Sequence, residues 1–151
     1  MMRLTEKLIA LRERLNRSPH DIAEEIGVTS PCYYDLESYD DELATTLDLD
    51  QVERLCALLG CKIRSLILED EPTEMGKECF NFPPIVAQIQ ACLTRHQILV
   101  EEFESRCGWE IRDALLDPAA ARKWNLVCLR DVGKTLGLPW KKFLDEIVVA
   151  G

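Results

Sequence analysis

The twenty residues from Ser18 to Glu37 hold a helix start, an apolar stripe, a stop and a second helix start. Ser18 is a cap with Pro19 at the first helical position, where a missing N–H costs nothing. Ile22, Ala23 and Ile26 follow on one face. Gly27 suits the left-handed backbone that ends a helix, Val28 plugs the turn, and Thr29 caps the next helix. Tyr33 and Leu36 then face inward. Two short helices set across a tight turn satisfy all of these signals together, and that arrangement limits what the rest of the chain can pack against.

The segment resembles the Xre family, the phage-repressor-like helix-turn-helix domains, and the match runs over residues 4–68. Gly27-Val28-Thr29 stands where that family has Gly, a hydrophobe and Ser or Thr. Asp48 to Gly60, with Leu49, Val52, Leu55, Cys56 and Leu59, looks like its fourth helix, and Ile63, Leu66 and Ile67 like its short fifth. The resemblance implies an all-α fold, with a five-helix helix-turn-helix domain at the N-terminus. It also implies a partly buried salt bridge between Arg12 and Glu37, and a third helix that lies in the DNA major groove. Carried onto this sequence, the DNA-contacting candidates are Arg14, Arg17, Thr29, Ser30, Cys32 and Tyr34.

The second half repeats the spacing of the first. Leu49, Val52, Leu55, Leu59-Gly60, Ile63 and Leu66 recur 77 residues later as Leu126, Leu129, Val132, Leu136-Gly137, Trp140 and Phe143. At that same offset Ile22, Ala23 and Ile26 correspond to Leu99, Val100 and Phe103. Ile85, Ile89 and Leu93 supply a first helix, and Gly108 to Leu116 a third. The expected organisation is a helix-turn-helix domain at 1–70, a linker at 71–82 and a second, similar helical unit at 83–151, with the degenerate copy over residues 84–148. The repeat predicts one helix order in both halves and no sheet. The Ile147-Val148-Val149 tail is too short to count as a strand signal.

Bulk properties narrow the class. Seven cysteines form no CxxC pair, no apolar run of signal-peptide or membrane-span length is present, and a cytoplasmic protein with reduced thiols fits. Neither His20 nor His96 has the clustered thiols of a metal site, so no metal and no cofactor are expected. Neither has a nucleophile beside it in sequence, and no phosphate-binding loop occurs, so an enzyme is not expected.

Charge sets the central conflict. The net charge of −9 falls entirely on residues 1–74, with eight basic and seventeen acidic side chains. Phosphate contacts by Lys and Arg supply most non-specific DNA affinity, and an acidic domain forfeits them. The Arg, Asn and Gln side chains that read bases bidentately are missing from residues 30–35. Asp40-Asp41-Glu42 follows as a solvated loop after the third helix, and each unscreened carboxylate–phosphate pair there costs about 4 kcal/mol at 4 Å in an effective dielectric near 20. The function expected first, which the resemblance implies, is a DNA-binding transcriptional regulator of the Xre class. The alternative is an acidic protein-interaction module, antitoxin-like or part of a regulatory complex, that no longer binds DNA. The partners to expect are DNA, a protein, or a second copy of the chain.

Overall fold

The structure is a computed structural model that describes residues 2–151. It is mostly helical. In order come α1 (Leu4–Arg14), α2 (Pro19–Ile26), α3 (Ser30–Ser38), α4 (Glu42–Thr46), α5 (Leu49–Leu59) and α6 (Ile63–Ile67). Strand β1 (Glu78–Phe80) leads into α7 (Pro83–His96), α8 (Val100–Cys107), α9 (Arg112–Leu116) and a 3-10 helix over Pro118–Lys123. Next are α10 (Leu126–Thr135), α11 (Trp140–Ile147) and β2 (Val148–Ala150). Local chemistry sets these bounds. Ser18 accepts from Asp21 N, Thr29 from Cys32 N and Asn125 from Cys128 N, while Asp48 and Gln51 close a reciprocal capping box at the start of α5.

The two halves share a helix order, but the correspondence differs from the single 77-residue offset. Upstream it is 81. Leu4, Leu8 and Leu11 match Ile85, Ile89 and Cys92, all buried. Ile22 and Ile26 match Phe103 and Cys107, and the left-handed Asn16 (φ 55°) matches the left-handed Gln97 (φ 53°). Gly27 (φ 78°) matches Gly108 (φ 83°), so Gly108 ends α8 and does not begin the third helix. Leu99 and Val100 are therefore not the counterparts of Ile22 and Ala23; Leu99 is exposed at the cap position, in the place of Ser18. From Asp48 and Asn125 onward the offset is 77. The four missing residues come out of the third-helix region, where α3 has nine residues and α9 only five. Apolar periodicity within a helix does not register a deletion between helices.

The halves meet reciprocally. Asp48 and Asn125, the equivalent caps, form an antiparallel bridge in which Leu49 N donates to Trp124 O at 2.8 Å. Asn125 Nδ2 reaches Thr45 O at 3.2 Å. α5 packs on the 3-10 helix, and α10 packs on α4, the 3-10 helix's counterpart. Each half thus lays its capped helix on the same part of the other, as in a two-fold pair. The buried side chains of both halves form one continuous cluster.

A small sheet overturns the expectation of none. β1 and β2 pair antiparallel, Cys79 opposite Val149 and Phe80 opposite Val148. Glu78 ties β1 to α6 by accepting from Arg64 N at 3.2 Å. The segment read as a linker is also fastened upstream, by a Cys61–Met75 bridge and by Lys62 N donating to Glu74 O at 2.8 Å. Lys7, only 1% exposed, donates through Nζ to the carbonyls of Ser65, Leu68 and Glu71, each at 2.7 Å. Three donors meet three acceptors, and the end of α6 and the chain beyond it are held against α1.

Packing in the halves has diverged in step. At the 77-residue offset Cys56 and Leu66, both buried, correspond to Gly133 and Phe143, where a Cβ on Gly133 would sit 2.6 Å from Phe143 Cδ2. Gly133→Cys alone should overpack the site and cost about 1–3 kcal/mol. Phe143→Leu in the same chain should recover most of that loss in urea unfolding, whereas additive losses would show that the two positions are uncoupled.

Candidate functional site at the α2–α3 face

The α2–α3 pair is held from behind by an ion pair. Arg12 Nε donates to Glu37 Oε2 at 2.7 Å and Nη2 to Oε1 at 3.1 Å, while Nη1 holds Arg17 O at 3.0 Å. The side chains are 15% and 9% exposed, so the pair is partly buried and bidentate. It fastens α1 to both the end of α3 and the loop before α2. Tyr33 is fully buried beneath it, with its hydroxyl unpartnered; burial first, and the nearby Glu37 carboxylate second, push its ionisation far up.

The outward side carries the remaining candidates. Thr29 is exposed and spends its hydroxyl on the α3 cap at 3.2 Å. Ser30 Oγ lies 2.7 Å from His20 Nδ1, a contact that joins the first turns of α2 and α3. Cys32 is half-buried, and burial raises its thiol pKa, with Glu42 and Asp35 adding to the rise. Tyr34 is 56% exposed, and Tyr39, just past the helix, is 58%. The sequence reading passed over Tyr39 and the role of His20. Tyr39 sits at the helix C-cap with an extended backbone, and His20 gains meaning only from a neighbour ten residues on.

The cations there are largely spent. Arg17 pairs with Glu25 and, at 4.0 Å, with Asp21. Arg3 pairs with Glu6 at 2.9 Å and lies 3.9 Å from Asp40. Arg14 is exposed and makes no ion pair among the described residues. The acidic loop is built differently from the free loop expected of Asp40 to Glu42. Asp40 turns back to α1, accepting from Thr5 Oγ1 at 2.8 Å and Thr5 N at 3.1 Å. Glu42 opens the short α4, and its carboxylate accepts from Thr46 at 2.9 Å. Asp35 and Asp41 remain exposed on the rim.

The corresponding face of the second half is held by other means. Trp109 occupies the place of Val28 and donates to Asp131 at 2.9 Å. Glu104 accepts from Ile111 N at 2.8 Å and pairs with Arg112 at 2.5 Å, replacing the missing side-chain cap of α9. Among the described residues no cluster of three or more His, Cys, Asp or Glu side chains is arranged to hold a metal, and no helix is long and apolar enough to cross a membrane. Comparison with family models, curated proteins and solved structures finds no match.

Two outcomes follow from this geometry. Arg12→Leu should leave Glu37 buried without its partner and cost about 3–5 kcal/mol in denaturant unfolding, more than Glu37→Gln, which keeps one hydrogen bond. Asp40 behaves differently. The Thr5 hydroxyl, then the Thr5 N–H, hold its carboxyl below the usual range. The bond therefore contributes stability above the ordinary carboxylate titration and loses it as pH falls through the lowered pKa. Asp40→Asn should flatten the acid limb of the melting temperature against pH.

Proposed function

We propose that this chain is a helix-turn-helix protein of the Xre type whose α2–α3 face contacts a protein rather than DNA, and that it acts in regulation through that partner. The observation that carries the reading is the state of the outward face. Two tyrosines stand more than half exposed among Asp35, Asp41 and Glu42, while Arg17 is already neutralised by its own chain. Exposed tyrosines with charged surroundings suit the centre and rim of a protein interface. Near phosphates the same carboxylates are a liability. The chemistry of the face selects a partner with a basic surface and apolar hollows for Tyr34 and Tyr39.

A second reading has its own support. Ser30 and Tyr34 on the outward side of α3, with Arg14 making no ion pair among the described residues, suit a DNA reader in which Arg14, Arg17, Thr29, Ser30, Cys32 and Tyr34 would contact the duplex. In either case the N-terminal helices α1–α6, one more than the five expected because α4 is added, form the reading unit, and the second half is a degenerate copy that supports it.

The two readings separate in a paired experiment. Partner capture from cell extract, repeated with purified components, should be weakened about tenfold by Tyr34→Ala. It should also weaken with rising salt and with Asp35→Asn plus Asp41→Asn. Pooled genomic fragments should show no retardation at about 50 mM salt, where charge-driven contacts are strongest. Retardation there that Ser30→Ala or Arg14→Ala removes would replace the protein-interaction reading with the DNA one.

A further inference from the structure

The reciprocal packing of the halves creates two equivalent crevices, and the described residues fill only one of them. The first lies where α5 meets the 3-10 helix. Phe80 and Phe82 are buried there with their rings 6.2 Å apart. Phe80 N donates to Glu53 Oε1 at 3.0 Å, and the Arg122 guanidinium sits 5.1 Å over the Phe82 ring while pairing with Asp50 and Glu53. The chain thus plugs this crevice with its own extended aromatic segment.

The second crevice lies where α10 meets α4, the positions that match α5 and the 3-10 helix. It is about 330 Å³, lined by Leu43, Ala44 and Thr45 from one half and Leu126, Val127 and Arg130 from the other. At the 77-residue offset Arg130 stands for Glu53 and Thr45 for Arg122. No described residue plays the part of Phe80 and Phe82 here. The polarity is also inverted. Where Glu53 accepts a strand N–H, Arg130 offers a donor to a carbonyl, and it already packs 5.2 Å from the Trp140 ring. The rim is acidic, with Asp41 and Glu69 exposed and Asp40 turned to Thr5.

We propose that this second crevice binds an extended segment of a partner protein carrying an aromatic anchor with basic residues beside it. The filled crevice defines the occupant: an aromatic side chain on an extended backbone, seated between a capped helix and the short helix before the other cap. The charge of the rim defines its flanks. Lys or Arg next to the anchor meets Asp41 and Glu69, and a backbone carbonyl meets Arg130. This site shares Asp41 with the rim of the α2–α3 face but is walled by α4 and α10, and it stands whether that face binds protein or DNA.

The test titrates the isotope-labelled full chain with a short synthetic peptide, Lys-Lys-Phe-Asn-Phe-Lys, capped at both ends. Amide shifts at Ala44, Thr45, Val127 and Arg130 should saturate, with those of Tyr34 and Tyr39 unmoved. A peptide with both Phe replaced by Ala, and one with Asp for every Lys, should each bind about tenfold more weakly or worse. Thr45→Trp, at an exposed position, should block the crevice and weaken binding by a similar factor with the melting temperature unchanged. Three results would overturn the proposal: no saturation up to about 1 mM peptide, equal binding of the Asp peptide, or shifts confined to α2–α3. Shifts of the same amides that follow protein concentration without peptide would also overturn it, because the occupant would then be a second copy of the chain.

Discussion

Everything in this molecule hangs from the place where two helix starts face each other. Asp48 and Asn125 cap equivalent helices, and the bridge between them fixes both starts at once. Because the flanking short helices then pack crosswise, the halves bury a single shared cluster and not two separate cores. A chain of this size gains from that arrangement. Neither half alone would bury as large a fraction of its surface as the joined pair does.

Much of the helical framework was legible because it is written in local chemistry. Ser18-Pro19, Gly27 and Thr29 fix two ends and a turn, and Asp48 with Gln51 fixes another; such signals need no tertiary context. What sequence reasoning missed depends on distance along the chain. β1 and β2 are three residues each and exist because each supplies the other's hydrogen bonds. α4 is five residues long, within a run read as a charged loop, and it is settled by the Leu43 side chain buried beneath it. The deletion that shortens the third helix was invisible, since Leu99 and Val100 fit an apolar stripe as well as Phe103 does.

The candidate face divides along the same line. Arg12 and Glu37 could be paired only through the resemblance, and their carboxylate–guanidinium fork is a matter of three-dimensional placement. Arg17 looked like an available cation in sequence. Its neutralisation by Asp21 and Glu25 follows helix geometry in part, as an i, i+4 contact, and loop geometry for the rest. Asp40 looked like a free rim charge and is instead a tether for the start of α1. Net charge fixed the sign of the face, while the structure decided which charges remain on offer.

The buried amine of Lys7 has a consequence of a different kind. It lies within the fold against three carbonyls that belong to the chain leaving the first half. Acylating reagents and lysine-modifying enzymes need a free, uncharged nitrogen that they can approach, and this one is enclosed as long as α1 stays docked. Of the chain's lysines, its chemical reactivity would therefore report not surface exposure but the opening of α1 from the segment that joins the halves. One amine turns the integrity of that junction into a labelling rate.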